Sequence, residues 1–296
     1  MSHSLVSGPV VLGLEESSVS DLALEWAVQA AQERAVPLEL VVCWQEPAVS
    51  IGVGMGVPQD TDVVRALRSQ SEYVLARGAE KVAGISPELT VRGEVVADAP
   101  AKALIEHSRA ASLIVVGSHG RGGFSGLLLG SVSRQVATHA SSPVAVIREP
   151  APDSALEVVV GVDGSPEAMR ALNFAFDFAS RRRLSLRVMH AWEVPPIASF
   201  SASRTLSPLQ VLSDIEGAEE RATAEVLAGH AERYPDVHVA VDVVHGNPAA
   251  QLVGASATAA AVVVGSRGRG GFLGLALGSV SHTLLHHAQS PVIVVH

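Results

Sequence analysis

The stretch GSHGRGGFSGLLLGS, residues 117–131, recurs as GSRGRGGFLGLALGS at residues 265–279. Twelve of the fifteen positions match, and the offset is 148 in a chain of 296 residues. The same offset links Gly13 to Gly161, Trp44 to Trp192, Pro47 to Pro195, Pro100 to Pro248 and Pro143 to Pro291. The chain is therefore one unit written twice, residues 1–148 and 149–296. Each unit is large enough for its own core, and the period is far too long for a solenoid.

Working outward from the second copy, Ala260–Gly265 is a short apolar run ahead of the glycines, and a helix begins near Gly278 after them. Leu156–Val162, Leu184–Trp192, Val237–Val244 and Pro291–Val295 are further runs of the same kind. Runs that are apolar on both parities suit strands buried on both faces. Ser165-Pro166 opens a helix, because Ser caps well and Pro is tolerated at the first helical position. Ala171, Leu172, Ala175, Phe176 and Ala179 form its inward stripe. Arg181, Arg182 and Arg183 are expected in its last turn, where cations suit the helix dipole. Pro195–Pro208 reads as a loop, Leu209–Arg233 as one long helix, and a short helix starts near Pro248. The first copy repeats this from Val10–Leu14 to Val144–Ile147. The alternation predicts an α/β fold: a parallel five-stranded sheet per unit, with helices on both faces.

Composition narrows the function. The net charge is −9, divided as −4 and −5 between the units, so neither half is basic and a general nucleic-acid binder, which needs a basic face, is not expected. One cysteine, Cys43, excludes an intrachain disulfide and any cysteine metal cluster. No apolar run reaches membrane-span length, and the first residues lack a secretory signature. A soluble protein of the cytoplasm is expected. The twelve histidines are scattered. His286-His287 has no second ligand pair at metal spacing, so no metal site is predicted. Trp44 and Trp192 read as packing residues, Cys43 as a small buried hydrophobe, and Ile51–Val57 as a mobile loop over the site. Glu216, Glu219 and Glu220 read as a solvated helix face.

The informative motif is G-x2-G-x9-G-S: Gly117, Gly120, Gly130 and Ser131, then Gly265, Gly268, Gly278 and Ser279. Glycines let backbone N–H groups approach an anion closely, and the following helix offers unpaired N–H groups and a positive dipole end. Arg121, Arg267 and Arg269 can add charge for a polyphosphate. No Walker loop, dinucleotide fingerprint or nucleophile elbow is present. The structural alternative is a plain surface loop with tight turns. Glu15 and Asp163 end the first strand of each unit. In an open parallel sheet of order 3-2-1-4-5, that position borders the crevice where ligands bind, and a carboxylate there can accept from ribose hydroxyls. It can equally cap the next helix.

At these residues the chain resembles the universal stress protein family, in its tandem two-domain, actinobacterial-style form. The resemblance spans both units, and its most specific element is the glycine–serine pattern of the ATP-binding subgroup. It implies Rossmann-like, doubly wound sheets of order 3-2-1-4-5, two units related by a pseudo-twofold, and a homodimer. It implies ATP as ligand, with Mg²⁺ accompanying the phosphates although no residue clearly owns the ion. By matching positions, Gly161 and Val162 would line the adenine, Ala191 would meet it through its backbone, and Asp163 would contact the ribose. Val264, Gly265, Arg267 and Gly268 would approach ribose and phosphates, with Gly278, Ser279 and Val280 at the helix start. The first unit supplies Gly13, Leu14, Glu15, Cys43, Val116, Gly117, His119, Gly120, Gly130, Ser131 and Val132.

Glu15 departs from the family's Asp. Its extra methylene predicts weaker binding in the first unit. With no general base or nucleophile in view, the expectation is a regulatory, stress-related binding protein with slow hydrolysis at most, not an enzyme. An adenine-nucleotide α-hydrolase-type enzyme is the less favoured reading, since the SGG-x-DS and H-x-G-H motifs are missing. A nucleotide-free interaction module is another, and the intact glycine loops speak against it.

Overall fold

The computed structural model describes residues 8–45, 62–120, 129–148, 151, 155–193, 208–269 and 277–296. Arg121, the Ile51–Val57 run, most of the Pro195–Pro208 stretch and the middle of both glycine loops lie outside these residues. The chain divides into two compact units at Pro150/Ala151.

The first unit runs β1 (Val10–Gly13), α1 (Ser18–Arg34), β2 (Leu38–Trp44), α2 (Asp62–Ile85), β3 (Val91–Ala97), α3 (Pro100–His107), β4 (Leu113–Gly117), α4 (Ser131–His139), β5 (Val144–Ile147). Its strands pair in parallel in the order β3-β2-β1-β4-β5. The second unit runs β6 (Glu157–Gly161), α5 (Pro166–Arg182), β7 (Ser185–Trp192), α6 (Pro208–Leu227), α7 (His230–Arg233), β8 (Val239–His245), α8 (Pro248–Ser256), β9 (Ala261–Gly265), α9 (Ser279–His287), β10 (Val292–Val295). Its order is β8-β7-β6-β9-β10, again parallel. Each sheet is therefore 3-2-1-4-5, as expected, and its order reverses between its first and fourth strands.

Burial explains the assignment. In β1 and β4, Val10, Leu12, Leu113, Ile114 and Val115 are fully buried, because both faces of these central strands are covered. The outer strand β3 carries Arg92 and Glu94 and is largely exposed. Helix α1 packs against α2 and α3 against α4, which puts two helices on each face of the sheet. In the second unit Phe176 is buried and stacks on His230 at 4.9 Å and Tyr234 at 5.4 Å, tying α5 to the α7 corner.

Three expectations need correction. The long helix breaks: Gly229, at φ +88, separates α6 from α7, a left-handed conformation that a side chain resists. Arg181 and Arg182 do occupy the last turn of α5, but Arg183 is its left-handed C-cap at φ 55. Ala35 closes α1 in the same way at φ 51, so the duplication preserved the turn without a glycine. Finally, the Glu216–Glu220 face is not uniformly solvated. Glu216 and Glu220 are exposed, whereas the Glu219 carboxylate meets Nε2 of the buried His190 at 2.9 Å. The spacing of glutamates along one helix cannot reveal a partner on a strand.

Candidate functional site

All eleven positions named in the first unit converge on one cavity of about 470 Å³ at the carboxyl ends of β1, β2 and β4. The eleven of the second unit line an equivalent cavity of about 470 Å³ at the ends of β6, β7 and β9. Both lie where the strand order reverses, which is where ligands sit in open parallel sheets. The volume falls within the range for small-molecule sites.

A side chain at four of the glycines would press on its neighbours. A Cβ on Gly13 would stand 2.7 Å from Leu104 Cδ1, and one on Gly161 2.8 Å from Leu252 Cδ1. A leucine from the third helix of each unit thus presses against the end of the first strand. A Cβ on Gly120 would strike the Glu15 carboxylate, and one on Gly268 would strike Asp163 Oδ2. The acid at the end of the first strand therefore does face the glycine loop across the crevice.

Asp163 borders the second cavity, and it is not the cap of the next helix. Its Oδ1 accepts from the Ser165 amide at 2.9 Å, and its Oδ2 accepts from the Arg269 amide at 2.8 Å. The N-cap of α5 is Ser165, whose hydroxyl oxygen accepts from the Ala168 amide at 3.2 Å. In the first unit the Ser17 hydroxyl donates to Glu15 Oε1 at 3.1 Å.

The helix starts carry the anion argument. Helices α1, α5 and α8 begin with side-chain caps from Ser17, Ser165 and Asn247. Helices α4 and α9 begin at Gly130 and Gly278 with no side-chain cap. Residues 130–133 line the first cavity and 278–281 the second, so each uncapped helix start borders its cavity, where first-turn N–H groups can meet an anion. Both helices are anchored one turn in: Ser133 Oγ donates to the Gly117 carbonyl at 2.5 Å, and Ser281 Oγ to the Gly265 carbonyl at 2.6 Å. These two serines were not among the expected residues, yet both copies read GSVS, at 130–133 and 278–281.

Cationic help differs between the units. Arg267 lies at the second cavity, with Nη2 3.3 Å from Glu167 Oε1, and the same oxygen also meets Arg170. At the matching place in the first unit, His119 Nδ1 meets Ser118 Oγ at 2.9 Å. Cys43 is only half-buried and lines the first cavity, so it is not the enclosed hydrophobe expected. Burial, aided by Asp98 and Glu94, raises its thiol pKa to about 11. Trp192 is buried edge-on against His245 at 4.8 Å, in keeping with a packing role.

Doubly wound sheets, ending in a glycine loop and an uncapped helix beside a strand-end carboxylate, define a tandem α/β protein with a small-molecule crevice in each half. The profile of the Universal stress protein family matches residues 8–148 and again 156–296. A universal stress protein of Mycobacterium tuberculosis H37Rv is 39% identical over 293 residues, covering 96% of each chain. One from Mycolicibacterium smegmatis is 35% identical over 305 residues, covering 100% of this chain and 99% of its own. Among solved structures, a universal stress protein from Archaeoglobus fulgidus superposes with a TM-score of 0.67 at 22% identity, covering 98% of this chain and 97% of its own, a likeness of fold. The chain belongs to the universal stress protein family.

Proposed function

We propose that each unit binds one adenine nucleotide, ATP in the first instance, and that the protein acts as a nucleotide-dependent stress or regulatory factor. The observation that carries this reading is the coincidence, in both units, of three features around a cavity of about 470 Å³. These are a strand-end carboxylate for ribose hydroxyls, a glycine loop, and an uncapped helix start for phosphates. The first turns of α4 and α9, which no side chain caps, border the two cavities and fit such a ligand. Mg²⁺ would enter with the phosphates.

The proposal is for binding with slow or no hydrolysis. The family resemblance extends it to a homodimer, and the single cysteine suits the cytoplasm. Among the described residues, no helix is long and apolar enough to cross a membrane.

A thermal-shift titration tests the reading. A ligand at a hundredfold excess over Kd stabilises by about 2.7 kcal/mol, which is a rise of roughly 5–10 °C for units of this size. ATP should produce that rise in wild-type protein and a smaller one in Asp163→Ala. No rise with ATP, ADP or AMP in nucleotide-stripped protein would replace it with the interaction-module reading.

A further inference from the structure

Away from the nucleotide crevice, the first unit gathers Glu39 of β2, Glu94 of β3 and His107, the last residue of α3. We propose that these three side chains form a site for a divalent transition-metal ion of the zinc class, present in the first unit alone.

Proximity is the first argument. One ring nitrogen of His107 and one oxygen from each glutamate all lie within 4.8 Å of one another. His107 Nδ1 is 3.1 Å from Glu39 Oε1, and Nε2 is 3.6 Å from Glu94 Oε2. Ligand atoms about 2.0–2.2 Å from a tetrahedral zinc stand ~3.3 Å apart. The carboxylates meet different nitrogens of the ring, so binding needs the ring to turn one nitrogen toward both. Imidazole and carboxylate together suit zinc, and three protein ligands leave a fourth position for water.

Charge is the second argument. Two carboxylates facing one point on adjacent strands favour a cation between them. Arg92, the register partner of Glu39, has no carboxylate at ion-pair distance among the described residues. The second unit shows what the fold does at the same place. There Arg187 replaces Glu39, Asp242 stands for Glu94 and Ala255 for His107, all at the offset of 148. Arg187 Nη2 is 2.9 Å from Glu157, and its Nε is 3.7 Å from Asp242. A built-in guanidinium thus fills the place in the second unit. In the first unit the duplicated position became acidic, and an imidazole arrived from α3. The two side chains nearest the point are mostly enclosed, with Glu39 19% and His107 20% exposed. The carboxyl end of α3 adds a negative dipole end that also favours a cation.

The test is a zinc titration of the full chain, stripped of metal and nucleotide, in competition with a chromophoric chelator. Wild type should take up one ion that His107→Ala loses. Glu39→Gln should bind at least about tenfold more weakly, the lower end of what even outer-shell changes cost. Glu39→Arg transplants the guanidinium of the second unit and should abolish uptake with the circular dichroism spectrum unchanged, which keeps the test valid if His107→Ala misfolds. The rings of His282 and His286 lie 4.6 Å apart on α9, tilted to one another, and offer a competing pair. Removing both should leave the His107 ion in place. Uptake that is absent in wild type, or unchanged in both His107→Ala and Glu39→Arg, overturns the proposal and leaves the imidazole itself as the counter-charge.

Discussion

Cys43 is the one thiol in the chain, and it stands in the wall of the first crevice. With its pKa raised to about 11 from 9.0, it holds roughly a hundredfold less thiolate at pH 8 than an unperturbed cysteine. Reaction with a disulfide reagent at pH 8 should therefore be at least about tenfold slower in folded than in urea-unfolded protein, since the stronger nucleophilicity of a high-pKa thiolate offsets part of its scarcity, and slower again with ATP. A folded rate equal to the unfolded one, or no effect of ATP, would remove Cys43 from a nucleotide crevice. The sign of the linked effect is fixed. The unfolded thiol ionises near 9.0 and the folded one near 11, so stability falls as pH rises between them. At this scale the sequence was only partly informative. It could place Asp163 and Glu15 at equivalent positions, but not show that Asp163 accepts from the Ser165 and Arg269 amides or that the Ser17 hydroxyl donates to Glu15. Those partners depend on loop geometry, which residue identity leaves open.

Among the elements, caps were the most legible feature and long-range docking the least. Ser165-Pro166 announced the start of α5, and the Ser165 cap is present. Ser165→Ala should lower the stability of the second unit by about 1 kcal/mol, read as a lower denaturant midpoint with unchanged slope. An unchanged midpoint would mean that Asp163 alone holds the helix start. The strands were legible because central parallel strands are apolar on both parities, as in Leu113–Gly117. The break at Gly229 was not, since an isolated glycine in a helical pattern is usually tolerated. The pairing of Glu219 with His190 was hidden too, because it joins residues of α6 and β7 that only the packed unit brings together. That contact has a further consequence, since His190 Nδ1 also meets the Val162 carbonyl at 2.8 Å, next to Asp163. Helix α6 is thereby tied to the strand end that bears the proposed ribose ligand. In the first unit the matching residues are Val42 and Ser71, and no such tie exists between them.

For the molecule as a whole, the duplication is both the reason the fold was readable and the source of its asymmetry. Two copies of one pattern at a fixed offset made the glycine loop stand out from a single chance match. After duplication the units drifted at a few positions that matter physically. Asp163 corresponds to Glu15, Arg267 to His119, and Arg187 to Glu39. Each exchange changes charge or reach at a matching point of the fold, and a difference in nucleotide affinity between the halves is therefore the expected outcome. The most direct measurement is calorimetric titration of the stripped full chain with ATP, on wild type, Gly268→Val and Gly120→Val. In each variant the new side chain occupies space now held by the facing carboxylate. The account predicts two sites in wild type, the tighter one lost with Gly268→Val and the weaker one with Gly120→Val. Absence of binding in wild type, or two equal sites indifferent to both substitutions, would contradict it.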